Sequence, residues 1–433
     1  MSRLPSDISA ALNRTQMALL QYTTLLICFL LTVLVGLDVL IIAFAAPAIS
    51  ESWEIRPESL GVVFSGALSG MIGGALFLAP LADRIGRKLT ILCCTVLMGA
   101  SVLATAYAGS IGALIVLRVI SGFGIGGLIA TATTLASEYT PERSKNFWLS
   151  LVLAGYPAGA VLAGIASAAL TRDGNWQAAF LFAGIVTLIF VPVTLAAVAE
   201  SLAFLVSRQP SNALPQINRI LKRLKAPPIS ALPPPTGRAS AASVKRLFDG
   251  PLSTQTLLLW LAFLMAFAAL YFLLSWIPKL VTEAGMPQET GIYAGTVFNA
   301  GAFAGIVSSG SLALRLGLRR TILIFFASAS LLMVLFSLVP GSSWMLATFG
   351  LVGFAVQGGF VGLFVVAARL YPTPMRSTGV GWSIGIGRFG AALAPIAAGF
   401  LVAAGTTLGT AFVVFAVPCL IAGLVAQAIR LPD

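Results

Sequence analysis

The chain contains no histidine, and charged residues make up only 9% of its 433 positions. Without histidine, the commonest metal ligand and the side chain that titrates most readily near neutrality are both missing, so any proton carrier has to be a carboxylate. Acidic residues are scarce too, 14 in all. Four cysteines, Cys28, Cys93, Cys94 and Cys419, lie inside long apolar runs at spacings that suggest neither a disulfide framework nor a metal site, and they read as buried apolar thiols. The residue clusters needed for hydrolysis or redox chemistry are absent, so the expectation is a protein that is not an enzyme and needs no cofactor. The polar first twenty residues carry no cleavage signal after a short apolar core, so the first apolar run is expected to be retained.

What the chain has in abundance is hydrophobic surface, 58% of all residues, more than a water-soluble globule of this size can carry. Its solvent is therefore expected to be lipid. Apolar runs close to the roughly 20 residues that cross a bilayer recur along the whole chain. Twelve are expected, at 21–43, 59–80, 89–107, 112–136, 146–170 and 178–198, then at 256–278, 290–313, 321–338, 343–368, 377–403 and 408–428. The corresponding units are an N-terminal segment 1–20, a first half 21–200, a linker 201–252, a second half 253–429 and a tail 430–433. The linker includes the Pro-rich ALPPPTGR at 231–238.

A net charge of +12 raises the question of a nucleic-acid partner, but the basic residues collect in alternate loops. With the N-terminus inside, the cytoplasmic segments receive Arg84, Arg87, Lys88, Arg143, Lys145, Arg208, Lys222, Arg223, Lys225, Lys245, Arg246, Arg315, Arg319, Arg320 and Arg376. The outer loops hold Arg56, Arg172 and Lys279 against Glu51, Glu54, Glu58, Asp173, Glu283 and Glu289. This asymmetry predicts both termini in the cytoplasm and the bilayer, rather than nucleic acid, as the partner of the positive charge.

The two halves are related. A shift of 231 positions lays APLADRIGRKLT from Ala79 on GSLALRLGLRRT from Gly310, Gly70 and Gly74 on Gly301 and Gly305, Pro141 on Pro372, Lys145 on Arg376 and Gly159 on Gly390, without a gap. Each half has an even number of spans, so both enter the membrane in the same orientation, as in transporters whose pathway runs between parallel repeats. Close packing through small residues is the competing explanation for such self-similarity.

The segment APLADRIGRKLT resembles the loop signature G-x-L-A-D-R-x-G-R-K of the major facilitator superfamily, with Ala79 in place of its first glycine. RVISGFGIGG from Arg118, SEYTPERSK from Ser137 and GYPAGA from Gly155 also look like motifs of that family. GLD at 36–38 and RLYPTPMRSTGVGWSIGIGRFGA at 369–391 are similar to its aromatic acid/proton symporter branch. That branch usually carries two acids in span one, whereas here Val35 stands at the first position and only Asp38 remains. The resemblance implies an all-α major facilitator fold of twelve transmembrane helices in two six-helix halves, in a bacterial inner membrane and working as a monomer. It implies alternating-access uptake of a small organic anion, an aromatic acid, with protons. An antiporter exporting drugs or metabolites and a membrane sensor that binds without transporting are the other readings.

Candidate residues follow. Asp83, Arg84, Gly86, Arg87 and Lys88 form an expected conformational latch, in which Asp83 accepts from a helix N-terminus and the cations meet carboxylates; setting topology is their plainer role. Asp38, Arg118 and Glu138 are the proton-coupling candidates, because apolar surroundings disfavour a lone charge and an intramembrane arginine needs an anion. Asp38 and Arg118 can equally be a structural ion pair, and Glu138 can simply be solvated at a helix end. Arg388, in GIGRFG, offers a planar fork suited to a carboxylate, or else pairs permanently with Asp38 or Glu138. Tyr271, Asn299, Gln357 and Trp382, with Asp38, are expected beside it as substrate-binding residues, and Trp276, Phe298 and Phe364 are further aromatic candidates. Trp276 and Trp382 also suit interfacial belts.

Overall fold

The computed structural model describes residues 8, 12–13, 16–171, 175–232, 244–250, 252–338, 344–372 and 375–431. Arg172, Asp173, part of the Pro-rich linker stretch, most of the N-terminal segment and the end of the tail lie outside them. Six long helices form the first half: α1 (Leu19–Trp53), α2 (Pro57–Ile85), α3 (Arg87–Thr105), α4 (Ile111–Tyr139), α5 (Lys145–Leu170) and α6 (Trp176–Ala197). Two short helices, α7 (Leu202–Arg208) and α8 (Ala213–Arg223), begin the linker. The second half comprises α9 (Leu252–Glu283), α10 (Gln288–Leu316), α11 (Leu318–Leu338), α12 (Met345–Leu370), α13 (Arg376–Ala403) and α14 (Leu408–Ala428). Among the described residues twelve helices are long and apolar enough to span a bilayer.

Several helices outrun their apolar cores. α1 has 35 residues, about 50 Å at 1.5 Å per residue, against a hydrocarbon core of about 30 Å. Pro47 lies inside it without ending it, and it stops at Glu54, which takes the left-handed region at φ 50°. The apolar run therefore marks the membrane-embedded part and not the helix end.

The 231-residue offset reappears atom by atom. In the first half α2 and α4 cross so closely that a Cβ on Gly70, Gly74 or Gly122 would come within 2.1 Å of the carbonyl oxygens of Val119, Phe123 and Ala67 respectively. In the second half α10 and α12 repeat this contact: Gly301, Gly305 and Gly353 face the carbonyls of Gly350, Phe354 and Phe298. Every residue in the second set lies 231 positions after its counterpart. Gly159 against Val33 and Gly390 against Leu264 do the same for α5 on α1 and α13 on α9. The loops match too: Gly86 and Gly317 end α2 and α10 at φ 104° and 83°, where a side chain would be strained.

The halves meet at the end of the bundle away from the chain termini. There Ser65 Oγ donates to the Ala392 carbonyl at 2.6 Å, and Trp276 Nε1 to that of Pro395 at 3.1 Å. Phe64 meets the Trp276 ring edge-on at 5.4 Å. Trp276 is thus a buried strut between the halves and not a belt residue. Phe44 of α1 fills the space left by Gly295 of α10, and Thr296 of α10 that left by Gly164 of α5. Along α13 towards the terminal end, burial falls away: Ala392 is buried, Arg388 and Gly385 are half-buried, and Gly381 is exposed. A Cβ on Gly385 or Gly381 would meet nothing within 4 Å. The cleft between the halves is closed at the far end and open at the terminal, basic end.

Of the four cysteines, Cys28, Cys94 and Cys419 are buried as expected, but Cys93 is exposed. One residue along a helix turns a side chain by about 100°, from the packed face to the lipid face.

Closure of the far end depends on Gly61, whose added Cβ would lie 2.6 Å from the Pro395 carbonyl. Gly61→Val is expected to disfavour this state by about 1–3 kcal/mol. In a background lacking the native cysteines, Ala392→Cys should then react with an impermeant maleimide at least several-fold faster than without the valine. Unchanged labelling would show that the closure tolerates the added bulk.

Candidate functional site

The centre of the first half holds an ion pair. Arg118 of α4 donates from Nη1 to Asp38 Oδ1 of α1 at 2.7 Å and, more weakly, to the Asp38 carbonyl at 3.3 Å. The other carboxylate oxygen accepts from Ser121, one helical turn beyond Arg118. Both charged side chains are fully enclosed, 0% and 1% exposed. The Arg118 guanidinium lies over the Phe180 ring of α6 at 5.4 Å, and among the described residues its Nε and Nη2 have no hydrogen-bond partner. The local sequence explains the placement: Gly36, two residues before Asp38, lets α1 cross α5 with a built Cβ only 2.0 Å from the Tyr156 carbonyl.

Across the cleft, Arg388 of α13 is half-buried, and among the described residues no carboxylate lies within ion-pair distance of it. Asp38 is held by Arg118 and Glu138 by Arg87, so the permanent pairing of Arg388 with either acid is not formed. Arg388 instead lies within electrostatic reach of the Tyr156 hydroxyl of α5. That hydroxyl is buried near Tyr271 of α9, and among the described residues Tyr156 Oη has no hydrogen-bond partner. Gly387 and Gly390 seat α13 on Phe267 and Leu264 of α9, which sets Arg388 at the level of Phe267, one helical turn from Tyr271. Tyr271 stacks on Phe267 at 5.9 Å and 14°. Phe267 and Phe263 meet Phe360 and Phe364 of α12 edge-on, at 4.7 and 5.3 Å for the nearest pairs. The result is an aromatic wall next to an arginine without a protein anion.

The remaining candidates are more scattered. Asn299 is buried on α10, where Nδ2 donates to the Gly295 carbonyl at 2.8 Å and Oδ1 is left without a donor. Gln357 is buried on α12. Phe298 belongs to the α10–α12 core. Trp382 is 45% exposed near the basic end and stacks on Trp260 at 6.0 Å, away from the Tyr271 wall.

At the basic end the latch residues come together within the first half. Arg87 pairs with Asp83 at 2.8 Å and with Glu138 at 3.4 Å. The α3 N-terminus, however, is capped by Glu200: Oε1 accepts from the backbone N–H of Arg87, Lys88 and Ser201 at 2.8, 3.2 and 2.8 Å. The expected capping by Asp83 is therefore not seen. Asp83 is 62% exposed, and its carbonyl accepts from Arg208 Nε. Gly86 makes room for the Glu200 carboxylate, which a Cβ would strike at 2.3 Å. Lys88 Nζ donates to the Leu195 carbonyl at 2.6 Å, satisfying the last turn of α6, and Arg84 is exposed. Glu200, Tyr156 and Ser121 were not singled out from sequence. Glu200 carried one signal, as an isolated acid just after an apolar span and facing a basic loop.

The profile of the Major Facilitator Superfamily matches residues 28–342 and 287–433. The chain belongs to the major facilitator superfamily. Within it, the chain lies in the aromatic acid/proton symporter branch. It is 35% identical over 394 residues to the 4-hydroxybenzoate transporter PcaK of Pseudomonas putida, covering 89% of this chain and 87% of that one. It is 30% identical to a gallate transporter of the same species, with 97% and 94% covered. It is 31% identical to the 3-(3-hydroxy-phenyl)propionate transporter of Escherichia coli, with 93% and 92% covered. Its fold matches the solved D-xylose-proton symporter with a TM-score of 0.75 at 15% identity, covering 95% and 98%. It matches a bacterial homologue of the lysosomal transporter Spinster, solved inward-facing and unoccupied, with a TM-score of 0.69 at 17% identity, covering 95% of each. This major facilitator protein is a secondary transporter of a small solute and not an enzyme.

The Asp38–Arg118 pair generates a stability prediction. Removing one partner of a buried ion pair leaves a charge without compensation and typically costs about 3–5 kcal/mol. Asp38→Asn and Arg118→Gln should each lower the unfolding temperature of the purified transporter markedly, and the double variant should recover part of the loss. Strictly additive losses would mean that the two side chains do not depend on each other.

Proposed function

We propose that the protein carries an aromatic carboxylate into the cell together with protons, by alternating access, as a monomer in the bacterial cytoplasmic membrane. The observation that supports this most is Arg388: a half-buried arginine between the halves, without a carboxylate partner among the described residues and at the level of Phe267 in an aromatic wall. An intramembrane arginine needs an anion, and a planar carboxylate on a planar ring answers both the fork and the wall. The named substrates of the similar transporters, 4-hydroxybenzoate, gallate and 3-(3-hydroxy-phenyl)propionate, are molecules of that kind. Tyr271 and the phenylalanines flank the ring in this reading. Asn299 and Gln357 answer ring substituents, with the undonated Asn299 Oδ1 suited to a hydroxyl, and Trp382 stands at the mouth.

Asp38 is the proposed proton carrier. In the present arrangement its charge is neutralised by Arg118; protonation would release Arg118 and loosen α1 from α4, which links proton occupancy to helix position. Glu138 and the latch cations hold the basic end of the first half while the cleft is open there. The crowding of Arg84, Arg143, Lys222, Arg223, Arg315, Arg319 and Arg320 at that end supports a cytoplasmic location for it and for both termini.

Two outcomes test the reading. In proteoliposomes, Arg388→Gln should reduce 4-hydroxybenzoate exchange by at least about tenfold, and Arg388→Lys should recover only part, because a point charge cannot form two parallel bonds. Equal exchange in all three proteins would remove Arg388 from the binding site. Asp38→Asn should retain exchange of substrate across the membrane yet lose accumulation driven by an inward proton gradient. Accumulation at the parent level would remove Asp38 from coupling.

A further inference from the structure

A cavity of about 660 Å³ lies outside the transport cleft, at the basic end of the first half, between the start of α3, the end of α6 and the linker helix α8. Its polar side is cationic: Lys88, Arg219 and Arg223 line it, against the single carboxylate of Glu200. That carboxylate is already occupied, since Oε1 accepts three backbone N–H groups at the start of α3 and before α7. Arg219 and Arg223 are one turn apart on the same face of α8, an arrangement of like charges that disfavours the helix unless an anion lies beside it. Among the described residues neither arginine makes an ion pair or hydrogen bond to the protein. Arg223 also stands close enough to Lys88 to repel it.

The other side of the cavity is apolar and opens towards the bilayer. Leu89 and Leu92 of α3 and Leu195 of α6 line it, and Leu89 and Leu195 are 48% and 56% exposed on spanning helices. α8 is fixed in place: Ile217, Ile220 and Leu221 are buried, and Asn218 bonds both the N–H and the carbonyl of Ile229. A cationic pocket continuous with lipid-facing leucines at the membrane boundary fits an amphiphile with an anionic head better than a free ion. We infer that this cavity binds an anionic phospholipid, its phosphate held by Lys88, Arg219 and Arg223 and its acyl chains running along Leu89, Leu92 and Leu195.

Native mass spectrometry of the full-length transporter, titrated with phosphatidylglycerol and separately with phosphatidylcholine, tests this. The parent protein should retain at least one phosphatidylglycerol at lipid levels where phosphatidylcholine is lost. Arg219→Gln combined with Arg223→Gln should weaken that binding by roughly ten- to thirty-fold, the effect expected for two basic groups at a membrane surface. Lys222→Gln, on the same helix but outside the cavity, should leave it within about twofold. Unchanged binding in the double variant, or an equal loss in Lys222→Gln, would overturn the proposal. Displacement of the bound lipid by millimolar glycerol 3-phosphate would overturn it as well, because the occupant would then be a soluble phosphate. Circular dichroism of the double variant, expected to match the parent, separates lost binding from lost folding.

Discussion

The buried Arg118–Asp38 pair is the contact on which the arrangement of the first half turns. Two charges leave water to form it, and each remains tolerable in the bundle only through the other, with Ser121 and the Phe180 face as supplements. It sets the rotation of α1 against α4. The crossing of α1 and α5 at Gly36 then sets Tyr156, and Tyr156 faces Tyr271 and Arg388 across the cleft. A charge-compensated centre in one half is thereby linked, through two tyrosines, to an uncompensated guanidinium in the other.

The second half repeats the backbone packing but not this chemistry. At the 231-residue offset Arg118 becomes Phe349 and Asp38 becomes Ala269. Phe349 packs in a cluster with Phe336 and Phe412, at 4.9 and 5.7 Å. Phe412 in turn packs against Phe272, which lies flat on Phe415 at 3.9 Å. One half is thus centred on a buried ion pair and the other on an aromatic core. The basic-end loops diverge in the same way: Asp83 pairs with Arg87, whereas its counterpart Leu314 is 90% exposed. The scaffolds match closely, as in parallel repeats with a pathway between them, and the departures from symmetry fall at the Asp38–Arg118 pair and at Arg388.

The scaffold was legible because its causes are local or periodic. Apolar runs mark the spans, and glycines at one offset mark the helix crossings, so a register read from letters reappears as carbonyl contacts. The pairing of Asp38 with Arg118 stood among the readings because each needs the other in lipid. The identity of lateral partners was harder to read. That Arg87 meets Glu138 while Glu200 caps α3 depends on where α6 ends and α7 begins, and that Trp382 stacks on Trp260 away from the Tyr271 wall depends on the rotation of α13. Tyr156 lay within a recognised motif, yet its role comes from α5 meeting the second half, a relation no spacing encodes. α1 likewise extends past Pro47 to Glu54, because a helix can continue beyond the bilayer core whereas the apolar run follows the bilayer.

The central claim is that an aromatic carboxylate and protons cross together. Proteoliposomes holding the transporter, with a pH-sensitive dye inside and no imposed gradient, measure this directly when 4-hydroxybenzoate is added outside. The account predicts internal acidification that starts with substrate entry, scales with it and is absent from vesicles without protein. Substrate entry with no change in internal pH, or with alkalinisation, would contradict it.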